Sequence, residues 1–277
     1  MNIGDRMKGY EHVSDFRLPQ RFPLIIRLDG NSFSKFTNKL KLAKPFDDRM
    51  FDAMSAGALA ALEYISGAQV AYTQSDEITI LVRNDQTHAT TPFLDNRIQK
   101  ICSLIAGHCT NGFNRKMREL GFDTDAVFDA RVFIVPHYEV NNVFVWRQFD
   151  AFKNFVSSYA YWELAKKYGK KTAFKMLDGL NTSDRQELVF KELGVNCNDL
   201  PTHWKRGFCI SRERVEVSVK EVIKKEAVYE ELLAKGKIKE GQMTFRTKVF
   251  EDREIPRFDK DVDYINQYMA VSEDVNS

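Results

Sequence analysis

Pro23-Leu24-Ile25-Ile26-Arg27-Leu28-Asp29-Gly30-Asn31-Ser32-Phe33 is the stretch on which the fold turns. Leu24 to Leu28 is a short apolar run with one interior charge, the pattern of a core strand. Asp29-Gly30-Asn31 breaks it, and a glycine there permits a sharp turn or a close backbone approach to a ligand. A second stretch, Gln69-Val70-Ala71-Tyr72-Thr73-Gln74-Ser75-Asp76-Glu77-Ile78-Thr79-Ile80-Leu81-Val82, has β-branched and aromatic residues on both sides of Ser75-Asp76-Glu77. It predicts two short strands joined at those three residues. If the strands lie side by side, Asp29 and Asp76 meet at one edge of a sheet.

Working outward, residues 1–22 predict an irregular or short helical lead-in. A polar loop is expected from Asn31 to Pro45. Asp47 to Ile65 carries Met50, Met54, Leu59, Leu62 and Ile65 at helical spacing, with Asp47 or Asp48 at its start and Gly67 past its end. A second helical pattern runs from about Pro92 to Leu120, closed by Gly121. Ala126 to Val135 predicts a strand, and a further helix spans about Trp146 to Tyr168. The order strand, helix, strand, strand, helix, strand is the ferredoxin-like plan. The expected fold class is therefore α+β, an antiparallel sheet with helices on one face. Polymerase palms, nucleotide cyclases and RNA-binding modules share that plan, so it does not decide the chemistry.

Residues 1–168 are expected to form this domain. Residues 169–277 are expected to form a smaller helical and β-hairpin region packed on it, with strands near 207–219 and Met243–Phe250 and a frayed end at Asn276 and Ser277. Composition agrees with a globular chain: 43% of residues are hydrophobic and 29% charged, enough apolar content for a core. A net charge of +2 does not by itself point to a nucleic-acid partner. Cys102, Cys109, Cys197 and Cys209 form no CxxC pair, which predicts reduced, mostly buried thiols in a cytoplasmic protein. The N-terminal residues have no apolar run of the signal-peptide kind, and no stretch reaches the length of a membrane span.

Two carboxylates and a nearby backbone carbonyl suit a pair of magnesium ions, and such a pair suits phosphoryl transfer. Asp29, Asp76 and the carbonyl of Gly30 are the candidate ligands. Aspartate is also favoured in turns, so a purely local role competes with this reading. Glu77 is the third candidate acid, in a supporting role; strand alternation would turn it away from Asp76, toward solvent. Lys39, Lys41, Lys44, Arg49, Arg97, Lys100, Arg115 and Lys116 are basic candidates for phosphate. Arg97 and Lys100 are three apart and share a helix face, and Arg147 and Lys153 open the next helix. No GxxxxGK[ST] or GxGxxG occurs, and no histidine pairs with a nucleophile, which argues against P-loop, Rossmann and triad chemistry.

Five ordered segments carry a resemblance. They are Arg27–Phe33, Lys44-Pro45-Phe46-Asp47-Asp48-Arg49, Ala71–Glu77, Phe128-Asp129-Ala130-Arg131 and Trp146-Arg147-Gln148-Phe149-Asp150-Ala151. Asn196–Pro201 and Lys205-Arg206-Gly207 extend it. The chain resembles the tRNA-histidine guanylyltransferases, and more closely their 3′-to-5′ polymerase-like relatives. The resemblance implies a polymerase-palm domain in which Asp29, Gly30 and Asp76 hold two Mg2+ ions. It implies that Asp29, Gly30, Asn31, Ser32, Phe33 and Ser34, with Lys44, Asp47, Ser75 and Asp76, bind a nucleoside triphosphate. Arg27, Arg97, Lys100, Arg147, Lys153 and Asn154 would hold triphosphate or tRNA. ATP would activate the 5′-phosphate of a tRNA, and the 3′-hydroxyl of GTP or another NTP would then attack it. A homotetramer, a dimer of dimers, is implied as well.

One segment departs from the eukaryotic guanylyltransferases, which carry His-Ile-Asn-Asn-Leu-Tyr-Asn where this chain has Phe152-Lys153-Asn154-Phe155-Val156-Ser157-Ser158. Only Asn154 is kept. That favours templated repair of 5′-truncated tRNA over non-templated G addition to tRNA-histidine. A nucleotide cyclase and a non-catalytic RNA-binding module are the readings from other classes.

Overall fold

The computed structural model describes residues 2–123 and 125–270. A lead-in helix α1 (Ile3–His12) precedes β1 (Pro23–Gly30), α2 (Phe33–Lys39), α3 (Asp48–Tyr64), β2 (Ala68–Gln74), β3 (Glu77–Arg83), α4 (Ile98–Glu119), β4 (Phe128–Ile134) and α5 (Val140–Tyr168). The chain continues through α6 (Lys170–Leu177), α7 (Thr182–Leu193), α8 (Thr202–Arg206), β5 (Phe208–Ser218), α9 (Val219–Val222), α10 (Glu226–Ala234), β6 (Met243–Asp252) and α11 (Asp263–Asn266).

Strands β4, β1, β3 and β2 lie in that order with antiparallel neighbours, which is the expected ferredoxin-like topology. β5 follows next to β2, and β6 next to β5. β1 and β3 are central because they are apolar on both faces: Leu24, Ile25, Ile26, Ile80, Leu81 and Val82 are all fully buried. Leu24, Ile26, Leu28, Ile78 and Ile80 point into one cluster with α3 and α4. Ile25, Val70, Tyr72 and Leu81 point into another with Val140, Val143 and Phe144 of α5. Helices thus cover one face as expected, and α5 adds a layer on the other.

Several local expectations are corrected. The polar loop after Asn31 contains α2, seven residues long, whose Phe33 and Phe36 pack against Phe113 of α4. The helical pattern from Pro92 is broken: Leu94, Asp95 and Asn96 all have positive φ, and α4 begins only at Ile98. α5 starts at Val140, six residues before Trp146, because Val140 and Phe144 already face the core. Met1–Ile210 with Asp252–Ser277 forms one compact unit, and Ser211–Glu251 another. In the smaller unit Val217, Val219 and Tyr229 are buried, while β6 is exposed along most of its length. The expected fraying at Asn276 and Ser277 lies outside the described residues. All four cysteines are free and three are buried, as their spacing predicts. No helix among the described residues is long and apolar enough to cross a membrane.

α3 and α4 approach closely through small residues. A Cβ on Gly112 would lie 2.6 Å from the Ala56 carbonyl oxygen and 2.6 Å from the Ala60 Cβ, so the backbone itself blocks it. Gly112→Val is expected to lower stability by about 1–3 kcal/mol through overpacking, measured by denaturant unfolding.

Candidate active site

The site is built by the register of β1. Asp29 lies opposite Glu77 of β3 on one side and Asp129 of β4 on the other. Directly opposed residues of an antiparallel pair share a face, so three carboxylates form a row across the sheet, and like charges so placed repel. The Gly30 N–H donates to the Asp76 carbonyl at 3.0 Å, which ties the end of β1 to the β2–β3 turn. That turn is Ser75-Asp76, with Ser75 in the left-handed region at φ 52°. Asp29 and Asp76 therefore meet, as the sequence predicts. They meet at the end of two central strands and not at the sheet's edge.

Glycine at position 30 has a packing reason besides the one expected. A Cβ there would fall 2.3 Å from the Phe33 ring. Phe33 occupies that space and packs against Phe36, Phe113 and Phe128 with ring centroids 5.0 to 5.4 Å away. The residue yields its side-chain volume to the core.

Glu77 is not a solvated strand residue. It is 8% exposed. Arg147 of α5 approaches both of its carboxylate oxygens at 3.3 Å, and Arg27 of β1 stands at 3.6 Å. Arg147 also pairs with Asp150 and lies 4.0 Å over the Trp146 ring. Burial raises the Glu77 carboxyl above its usual range, while Arg147 and Arg27 pull it back. Arg27 and Arg147 are thus engaged with Glu77. Among the described residues no Lys or Arg pairs with Asp29 or Asp76. Burial also raises the Asp76 carboxyl, and the nearby Asp29 charge adds to this; the Ser75 hydroxyl, donating at 2.9 Å, opposes it.

Beside Asp76 opens a cleft of about 310 Å3. Phe33 and Ser34 of α2, the segment Leu42–Asp47, Gln74 to Asp76, the α5 face and α8 line it. The α5 contribution includes Asn154, Ser158 and Trp162, spaced four apart on one helix face. Phe46 stacks on Phe155 at 5.8 Å and touches Trp204 at 5.2 Å, making one wall apolar. Lys44 donates to the Thr37 hydroxyl at 3.0 Å, and its ammonium lies 5.6 Å from the Trp162 ring. Burial lowers the Lys44 pKa, while Asp47 works the other way.

Asp47 lines the cleft but spends its oxygens locally. It caps α3 through the Arg49 N–H, accepts from the Ala43 N–H at 2.8 Å, and holds the Arg49 guanidinium at 2.8 and 2.6 Å. Arg49 first, then these amides, pull its carboxyl down to about 2 against the effect of burial.

The remaining predicted residues separate. Lys44, Ser75, Asp76, Asn154, Phe33 and Ser34 share the cleft, whereas Asn31 and Ser32 flank it on the way into α2. Lys153 is exposed one position from Asn154. Arg97 and Lys100 do not join the site. Arg97 caps α4 and donates to Asp15 at 2.7 Å, because the segment before β1 crosses there. Thr110, which accepts from Phe128 opposite Gly30, lies 13 residues further along α4, roughly 20 Å at helical rise. Trp162, His203 and Trp204 were missed. The Asn154, Ser158, Trp162 spacing was a usable signal for the first; α8 is too short to show one.

A palm-like sheet with adjacent carboxylates at the end of its central strands, opening on a polar and aromatic cleft, defines a class of nucleotide-handling enzymes. The chain belongs to the tRNAHis guanylyltransferase family and is a nucleotidyltransferase of tRNA processing: the family model matches residues 4–136, and that of the Thg1 C terminal domain matches 138–254. A probable tRNA(His) guanylyltransferase of Dictyostelium discoideum is 30% identical over 223 residues, covering 76% of this chain and 85% of the relative. A bacterial Thg1-like protein solved in complex with ATP is 34% identical with a TM-score of 0.78, covering 98% of this chain and all of that one. A bacterial Thg1-like protein in complex with GTP aligns at 0.72 and 34% identity, over 96% and 98%. The Saccharomyces cerevisiae enzyme, at 23% identity and 0.63 over 73% and 92%, shares the fold.

Two predictions separate structural from chemical acids. Glu77→Ala is expected to cost about 3–5 kcal/mol, since it removes the carboxylate between the buried Arg147 and the part-buried Arg27, while Asp29→Ala relieves repulsion and keeps or raises the melting temperature. Thermal melts of both variants check this. Asp47→Ala removes a helix cap worth about 1 kcal/mol. The folded Asp47 carboxyl is depressed to about 2, so its stabilisation is complete above the unfolded carboxyl's ordinary range. It is lost as pH falls through about 2, and the acid limb of the melting curve flattens in the variant.

Proposed function

We propose that the protein is a magnesium-dependent 3′-to-5′ nucleotidyltransferase that adds nucleotides to the 5′ end of tRNA under a template, as in repair of 5′-truncated tRNA. The observation that carries this is the meeting of Asp29 and Asp76 beside the cleft with no Lys or Arg among the described residues paired to either. Repelling carboxylates and a raised Asp76 favour a site completed by divalent cations, and two carboxylates with a backbone carbonyl suit magnesium. Asp29, Asp76 and the Gly30 carbonyl would hold the ions. When bound, these supply Lewis-acid activation of the attacking oxygen and charge stabilisation on the leaving phosphate.

The chain's own residues do the rest. The Phe46, Phe155 and Trp204 wall takes the base of a nucleoside triphosphate. The Lys44 ammonium, the Ser34 and Ser75 hydroxyls and the Asn154 amide face its phosphates and sugar. Arg27 and Arg147, held by Glu77, fix the β1 and β3 ends and keep Asp29 in register. ATP bound here activates the tRNA 5′-monophosphate, with pyrophosphate leaving. The 3′-hydroxyl of the incoming nucleotide then attacks the activated phosphate and AMP leaves. The bacterial relatives bound to ATP and to GTP support such a cleft for both nucleotides. The Phe152–Ser158 stretch supports templating, since Asn154 alone matches the guanylyltransferase segment. The distance of Arg97 and Lys100 from Asp76 supports an assembly in which a second copy brings its basic residues to the site, as a homotetramer would.

The test uses a tRNA lacking its first nucleotide, with ATP, each NTP and magnesium. Addition confined to the base that pairs with the opposing nucleotide is expected; addition of G whatever stands opposite would assign the chain to G addition on tRNA-histidine. Asp76→Ala is expected to lose more than about a hundredfold in rate while its melting curve stays cooperative.

A further inference from the structure

Outside the cleft, one segment concentrates positive charge. Residues 166–175, Lys-Lys-Tyr-Gly-Lys-Lys-Thr-Ala-Phe-Lys, contain five lysines and no acid, in a chain whose formal net charge is only +2. They span the end of α5, the bend at Gly169 and most of α6. All five lysines are exposed. Lys166 pairs with Glu163, and Lys167 donates to the Glu192 carbonyl. Among the described residues Lys170, Lys171 and Lys175 have no acidic partner.

Two aromatic rings are interleaved with these charges. Phe174 is 66% exposed, between Lys170 and Lys171 one turn before it and Lys175 after it. Tyr168 is 37% exposed, with the Lys167 ammonium 5.0 Å from its ring. Ala173 and Leu177 bury the other side of α6 against α5 and α7, so Phe174 is held on a fixed helix, facing out. The patch adjoins the cleft through one side chain. The Trp162 ring lines the cleft and has the Lys44 ammonium 5.6 Å from its centroid; the Lys170 ammonium lies 5.6 Å from the same ring.

Lysines alone are an ordinary solvated face. Lysines with exposed rings among them match the chemistry of an unpaired nucleic-acid strand, whose phosphates take the charges and whose unstacked bases take the rings. We propose that the α5–α6 bend binds the single-stranded 3′ tail of the tRNA whose 5′ end is being extended. This rests on the reading of the cleft given above. At the acceptor end of a tRNA the 5′ terminus and the unpaired 3′ tail leave the same helix end. A 5′ phosphate at Asp29 and Asp76 therefore brings the tail within reach of surfaces bordering the cleft. A duplex would not use Phe174, since its bases are already stacked. Lys170 and Phe174 would bind the tail, and they are positioning residues for the reaction.

The experiment compares wild type, Phe174→Ala and the triple variant Lys170→Ala, Lys171→Ala, Lys175→Ala. Each is titrated with a 5′-truncated tRNA carrying its complete 3′ tail and with the same RNA lacking the unpaired 3′ nucleotides. For the tailed RNA, Phe174→Ala is expected to weaken binding roughly tenfold. The triple variant is expected to weaken it at least as much, and to reduce the slope of log affinity against log salt by about 2, the value for three single-strand phosphate contacts. On the tail-less RNA all three proteins are expected to bind alike. Equal losses on both RNAs, or wild-type affinity and slope for the tailed RNA, would overturn the assignment. So would unchanged RNA binding with loss of self-association in the triple variant, which would give the patch to a second copy of the chain. A wild-type protein that binds neither RNA defeats the tRNA reading itself; one that binds and extends the tailed RNA while the variants match it defeats only the tail site.

Discussion

The pairing of β1 with β3 in one register decides where every charge of the site goes. Leu28 lies opposite Ile78 and Asp29 opposite Glu77. A slip of one residue would turn Ile25 and Arg27 to the α3–α4 face and Leu24 and Ile26 to the α5 face. The apolar residues on both faces of these strands hold the register. The acids at the strand ends inherit it, although they repel one another. Core burial thus holds together a row of charges that would not assemble unaided.

The two arginines then set a division of labour. Glu77, between Arg27 and Arg147, is neutralised within the protein. Asp29 and Asp76 are not. The three acids lie within a few residues of one another in space, yet their environments assign them different work. Asp47 is a fourth case, an acid in the cleft wall whose oxygens are consumed by the start of α3 and by Arg49.

Much of this was legible in the sequence. The apolar run before Asp29 and the paired β-branched arms around Asp76 gave the central strands, because burial on two faces leaves a dense signal. The order of elements gave the topology. What escaped has physical reasons. α2 is too short for its period to show, and its start depends on Ser32 adopting a left-handed conformation that composition does not reveal. The Arg97 and Lys100 spacing suggested neighbours on one helix face, but Arg97 is the extended residue before α4, and spacing cannot say which end of the sheet that helix end reaches. Strand alternation suggested that Glu77 would face away from Asp76 and into solvent, yet it is buried. Its burial depends on Arg147, 70 residues further along the chain, and no local pattern contains that information.

Gly30 and Phe33 carry a consequence for how such a site drifts over time. The Phe33 ring occupies the volume that any side chain at position 30 would need, and the same ring is packed into the aromatic cluster of Phe36, Phe113 and Phe128. A larger residue at 30 is admissible only after 33 has shrunk, and a smaller residue at 33 leaves a void in the core until 30 has grown. Each single step passes through a damaged intermediate, so the two positions form one heritable unit. Position 30, at the end of β1 beside Asp29, is thereby locked by its neighbour's ring, independently of any selection on catalysis.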